Sequence, residues 1–399
     1  MTASDTLLRK GSPEYRRTSA VLFVAGFMTF AILYVAQGTM PAVSEDFGVS
    51  PAVASLTLSL TTLPLAVMLV VMASWSEGHG RRRLLVGSLI GAAALTLAAA
   101  ASPSFPVLLT LRVLTGITLA GFPAVAMAYV AEEFHPSGLG TAMGMYVSGT
   151  GLGGMTGRLT GGLLAGLGSW RLAMATVAVV CLVAAIWVAA RLPSSRNFVA
   201  SPGGLGTRIA LIRHPLRDPV VLKLALCGFV IMGSLVSYYN YLQYRLAAPP
   251  FGLGAVVISL IFAFYLFGTV SANWMGRLAD VRSRRGVMLL GFAIMAVGAA
   301  GSLVDVLPVV LAATALLVFG FFGTHAVASG FVGTWAAEQR AQASALYLFG
   351  YHLGSGVVGY VSGLFFTRFG WSGEVATVLV LVVVGGVVAL SLPTATNRR

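Results

Sequence analysis

Two arginines stand where that residue is costly. Arg112 and Arg158 each interrupt a long apolar run, and a guanidinium inside hydrocarbon costs ~2.5 to 3.5 kcal/mol on insertion scales. Each must face a polar interior, water or a partner, or else extend its stem toward an interface. No Asp or Glu falls at the centre of an apolar run to neutralise them. Their expected partners are therefore carbonyl oxygens, polar side chains or an anionic group on a bound solute. The same shortage of acids restricts proton chemistry. His325 and His352 lie within apolar runs, and imidazole changes charge near physiological pH. They are the first candidates for proton coupling, against the alternative of neutral histidines bonded to a neighbouring helix. Glu132 and Glu133 are a further option, against the alternative of solvated loop charges.

Other side chains suit a mixed polar and apolar solute. Tyr34 and Gln37, the cluster Tyr238, Tyr239, Asn240, Tyr241 and Gln243, then Tyr265, Asn273 and Tyr347 combine broad rings with directional hydroxyl or amide groups. Interfacial anchoring is the competing reading for those near the ends of runs. Gly149, Gly153, Gly157, Gly161 and Gly162 recur at intervals that let two helices approach closely. No P-loop lysine and hydroxyl pair accompanies them, so they hold no nucleotide phosphate. The two cysteines, Cys181 and Cys227, read as packing residues. His325 and His352 alone lack the ligand set of a zinc site. No cofactor and no metal is expected.

These residues need elements that cross a bilayer. Only 9% of the 399 residues are charged, against about 25% in soluble domains. Apolar runs fall near 18–40, 52–74, 84–101, 105–130, 138–164, 170–190, 219–241, 252–275, 287–304, 307–334, 341–366 and 373–391. Each is long enough for a ~30 Å hydrocarbon core. Backbone groups in lipid must be paired locally, so the runs read as helices and not as a β-barrel. The fold class is an all-α membrane protein of twelve transmembrane helices in two pseudo-symmetric six-helix bundles. Residues 1–191 form the first bundle, 192–218 a cytoplasmic linker and 219–399 the second. A short interfacial helix is expected near 209–214.

Charge placement sets the expected orientation. The formal charge of +13 alone would admit nucleic acid, but its arginines sit in short loops on one side of this topology. They include Arg9, Arg16, Arg17, Arg81, Arg82, Arg83, Arg191, Arg196, Arg208, Arg213, Arg217, Arg284, Arg285, Arg340, Arg398 and Arg399. That side should be cytoplasmic, with both termini on it, while Glu45, Asp46, Asp305 and Glu374 fall in the opposite loops. The halves repeat. SWSEGHGRRR from Ser74 is echoed by GRLADVRSRR from Gly276, and TAMGMYVSG by ASALYLFGY, each followed by glycines and then Trp170 or Trp371. Parallel repeats suit transport by rocking two bundles about a midplane site.

With these motifs the chain resembles the major facilitator superfamily over essentially its whole length. The loop signature is carried by Ala73, Glu77, Gly80, Arg81, Arg82 and Arg83, and again by Gly276, Asp280, Arg284 and Arg285, with Ser283 in place of a later glycine. Arg112 with Gly116 resembles a second signature. The glycines from 149 to 162 resemble the fifth-helix motif of the drug/proton antiporter branch, with Arg158 where that motif has proline. The resemblance implies a bacterial inner-membrane exporter that uses the proton gradient, with Glu77, Asp280 and their arginines as a cytoplasmic gate. The expected partners are a small-molecule substrate and the lipid bilayer, with a functional monomer and no nucleic acid. Uptake or exchange of an organic anion is the alternative, and an enzyme is not expected.

Overall fold

Helix starts in this chain are written as a capping side chain followed by proline. Ser12, Ser50 and Asp218 accept from Tyr15 N at 3.1 Å, Val53 N at 3.3 Å and Val220 N at 2.9 Å, with Pro13, Pro51 and Pro219 next. Each cap satisfies an orphan amide, worth ~1 kcal/mol. The computed structural model describes residues 7–198, 215–336 and 339–394. The interfacial helix expected at 209–214 lies outside them, as do Arg208, Arg213, Arg398 and Arg399.

The helices are α1 (Pro13–Gly38), α2 (Pro51–Gly78), α3 (Arg81–Ala100), α4 (Phe105–Glu133), α5 (Pro136–Leu167), α6 (Trp170–Arg191), α7 (Pro219–Ala247), α8 (Ala255–Val281), α9 (Arg284–Gly301), α10 (Leu307–Trp335) and α11 (Arg340–Leu390). A short helix, Met40–Phe47, precedes α2. Ten of the described helices are long and apolar enough to cross a membrane. Glycine-rich α5 adds an eleventh, and α11 contains two crossings. A straight helix of its 51 residues would run about 75 Å, more than twice the hydrocarbon core. It reverses instead at Gly370, whose φ of 63° favours a residue without Cβ. The expected runs 341–366 and 373–391 are thus two arms of one element.

Contacts divide the chain into two units. One takes Met1–Thr39 and Val67–Ile209, the other Met40–Ala66 and Ala210–Arg399, each read over its described residues. Residues 40–66, assigned by sequence to the first bundle, therefore group with the second unit. The physical reason is a row of glycines on α11. A Cβ at Gly359 would come within 3.4 Å of Ser59 Oγ, and one at Gly363 within 2.8 Å of Ala52.

Within each unit two helices pack backbone to backbone. A Cβ at Gly149 or Gly153 would overlap the carbonyl oxygen of Phe23 or Phe27, and one at Gly157 or Gly161 would sit 2.5 or 2.6 Å from that of Ala31 or Val35. Gly38 meets the Gly162 amide in the same way. In the second unit Gly350 and Gly354 meet the carbonyls of Ala225 and Phe229. Lipid offers helices little hydrophobic reason to associate, so close approach through small residues supplies the packing. Outward faces are apolar: Val179, Val180, Val183, Ile186 and Trp187 form an exposed stripe on α6.

Candidate functional site

The polar heart of the first unit is built on residues 32–37 of α1. Arg112 of α4 is fully buried, and its Nη2 donates to the carbonyls of Leu33 at 3.1 Å and Ile32 at 3.5 Å. Arg158 of α5 donates from Nε to Gln37 Oε1 and from Nη1 to the Gly154 carbonyl at 2.9 Å, and its guanidinium lies 3.5 Å from the Tyr34 ring centre. Glycine packing of α5 on α1 brings that arginine so close. A desolvated cation over an aromatic face gains ~2 kcal/mol or more. The snorkelling alternative falls, because both charged heads end in the protein interior on one stretch of α1.

In the second unit Tyr238, Tyr239, Asn240, Tyr241 and Gln243 are all buried, which removes interfacial anchoring as their role. Tyr238 shares a hydrogen bond with Thr314 Oγ1 at 2.9 Å, and Tyr239 and Tyr241 donate to the carbonyls of Ile261 at 3.1 Å and Gly359 at 2.6 Å. Asn240 reaches the Gly359 carbonyl at 3.5 Å, and Gln243 the Tyr239 carbonyl at 3.2 Å. Tyr265 is half-buried against Tyr239 and Phe322, with ring centres 5.5 and 5.3 Å away. Asn273 is not part of this set. It is exposed on α8 and donates to its own helix at Thr269.

Nearer the other end of α10, a second cluster combines rings with imidazole. His325 Nδ1 bonds the Tyr347 hydroxyl at 2.8 Å, and its half-buried ring lies parallel to Phe321 and 4.7 Å from Tyr351. His352 is buried within electrostatic reach of His325, and its Nδ1 makes no hydrogen bond among the described residues. No group of three or more metal-ligating side chains occurs among the described residues.

Several arginines of the basic loops reach neighbouring helices. Arg81 pairs with Glu132 of α4 at 2.6 Å and donates to Ser76, while Arg82 donates to the carbonyls of Ala189 and Leu192. In the second half Arg284 donates to the Gly330 carbonyl and Thr334, and Arg285 to the Leu392 carbonyl. Arg82 and Arg285 therefore satisfy orphan carbonyls at corresponding helix ends, where cations are favoured. Glu77 is half-buried, and Arg83 and Asp280 are exposed. Glu132 and Glu133 are not solvated loop charges: Glu133 is buried and accepts from Asn197 N at 3.0 Å and Nδ2 at 3.2 Å.

Sequence reasoning missed Glu374. Expected in a loop, it lies in the second arm of α11 and is fully buried. The apolar run at 373–391 starts only one residue before the acid, and at that margin Glu374 read as a loop charge. The repeat held the missing signal, because Trp170 opens α6 and the matching Trp371 opens this arm, with its Nε1 donating to the Ser302 carbonyl at 3.0 Å.

Comparisons with known proteins agree with this architecture. A family model described as Major Facilitator Superfamily matches residues 22–280 and 245–399. The chain is 42% identical to the uncharacterized MFS-type transporter YybF of Bacillus subtilis, covering 95% of this chain and 94% of that one. It is 36% identical to the inner membrane transport protein YnfM of Escherichia coli, over 99% and 94% respectively. A chloramphenicol resistance protein of Streptomyces lividans shares 30% identity over 65% of each chain. Among solved structures, a bacterial homolog of the human lysosomal transporter Spinster, inward-facing and occupied, superimposes with a TM-score of 0.79 at 16% identity, covering 95% of this chain and 96% of that one.

Proposed function

The chain belongs to the Major Facilitator Superfamily and is a multi-pass membrane transporter, and on that premise we propose that it exports a small amphipathic or polar compound by alternating access, driven by inward proton flow. The observation that carries this reading is the cluster in which half-buried His325 and Tyr351 lie against buried Phe321 and Tyr347. It sets apolar ring faces beside a titratable nitrogen, which is the surface an amphipathic molecule needs. The name of the Streptomyces relative suggests chloramphenicol as a first probe. The proton gradient is the energy source in this proposal, with no cofactor, and one chain in the bilayer suffices. The membrane is the bacterial inner membrane, and the side rich in arginine, with both termini, is cytoplasmic.

Exchange or uptake of an organic anion is the second reading, favoured by the convergence of Arg112 and Arg158 on one stretch of α1. Transport into inside-out and right-side-out vesicles under an imposed pH gradient separates the two. Export predicts that inside-out vesicles with an acidic lumen accumulate chloramphenicol or a neutral analogue, and that a protonophore abolishes the accumulation. Accumulation confined to right-side-out vesicles, or gradient-independent exchange restricted to anions, would replace the export reading.

A further inference from the structure

Glu374 is fully buried, and neither carboxyl oxygen has a hydrogen-bond partner among the described residues. The groups that face it are neutral hydroxyls: Ser237 on α7, Ser362 on the first arm of α11, and the phenols of Tyr238 and Tyr241. At this level the cap of α9 contributes Ser302, α10 contributes Thr314, and residues 40–66 contribute Ser55 beside Tyr241. The neighbouring charges are already matched. Arg245, which lies 5.0 Å from the Trp371 ring centre, pairs with Asp305 at 2.8 Å. An ionised carboxylate here lacks a counter-charge, at a cost of several kcal/mol. A bound proton cancels that charge at the site.

The surroundings extend away from Glu374 in one direction. Ser362 Oγ, Ser355 Oγ and His352 Nδ1 share one face of α11, and each is a buried polar atom without a hydrogen-bond partner among the described residues. Their ten-residue spacing spans about 15 Å of helix and ends beside His325. The internal repeat gives the location a second meaning. Gly350 and Gly354 meet α7 as Gly149 and Gly153 meet α1, and in that register Arg158 is matched by Gly359. Ser362, which Glu374 faces, lies one turn further on. The second half thus carries a carboxyl group near the level at which the first half carries a guanidinium.

Resting on the proton-coupled reading above, we infer that Glu374 binds and releases the coupling proton, with Ser362, Ser355 and His352 marking its route to His325. The carboxylate takes up one H⁺ to become the neutral acid, and the reverse step returns both. Only an O–H bond is made or broken. The test uses Glu374→Gln, which keeps the shape and cannot titrate, in inside-out vesicles given chloramphenicol outside for the driven assay and loaded with it for the exchange assay. The expected result is loss of accumulation driven by the pH gradient with cargo exchange at equal pH retained. Driven accumulation at the wild-type level in E374Q overturns the assignment and leaves proton coupling standing. If wild type itself ignores the gradient, the coupling reading fails, and this inference with it. Should E374Q not reach the membrane, Glu374→Asp retains the carboxyl on a shorter stem. Its driven transport should show a displaced pH profile, and an unchanged profile overturns the assignment.

Discussion

Arg158 shows what a single side chain must satisfy in this interior. Its guanidinium uses its plane on Tyr34, one edge on Gln37 and another on the Gly154 carbonyl. Lysine retains the charge but not the planar fork. Tyr34→Phe should leave thermal stability in detergent close to wild type, because the ring face remains. Tyr34→Leu should lower it by ~2 kcal/mol or more, the scale of a desolvated cation–π contact. Equal losses for both variants would mean that the hydroxyl, not the ring face, matters. Arg158→Lys, compared with wild type at equal membrane abundance, should weaken discrimination between matched neutral and anionic compounds. An unchanged ratio would remove the arginine from cargo selection. Both arginines were legible in sequence because the cost of a charge in an apolar run is local. Glu374 was not, because its burial depends on Ser237 and Tyr241, more than a hundred positions away.

The packing of α5 on α1 separates glycines that look alike. Gly151 and Gly153 are neighbours in a glycine-rich run, but a Cβ at Gly151 meets nothing within 4 Å, whereas one at Gly153 would overlap the Phe27 carbonyl. Gly153→Ala must push two backbones apart, and should cost ~1 to 3 kcal/mol as an overpacked core does. Gly151→Ala should be neutral or stabilising by up to ~1 kcal/mol, since alanine restricts the unfolded helix more than glycine. Thermal unfolding of the two variants checks the difference, and similar midpoints would show that the helices tolerate separation. Helix number and type were legible here, since apolar length and proline-marked starts are properties of short windows. The reversal at Gly370 was visible only as a gap between runs. The partners of the loop arginines were not legible: Arg81 reaches Glu132 across 51 positions, and no local spacing encodes that pair.

At the scale of the whole chain, α2 is shared. Residues 40–66 group with the second unit and residues from Val67 onward with the first, and Pro64 lies inside the helix beside that boundary. Sequence periodicity cannot reveal such sharing, because it reports where a segment is apolar and not which half receives it. Cysteines at Ser59 and Gly359, with Cys181 and Cys227 replaced by serine, should approach the Cβ spacing of a disulfide. If this segment parts from α11 during the cycle, oxidation should stop transport and reduction restore it. Efficient cross-linking with undiminished transport would show that the two remain together throughout. The sharing also bears on how the protein is made. Ser59 leaves the ribosome about 300 residues ahead of Gly359, an interval of roughly 15 to 60 s at ordinary synthesis rates. Through that interval the early segment has been translated but its partner has not, so a nascent first half is an unfinished surface. Its hydroxyl-bearing face, with Ser55, Ser59 and Thr62, would need shelter from an insertase or a chaperone until the last helical hairpin arrives.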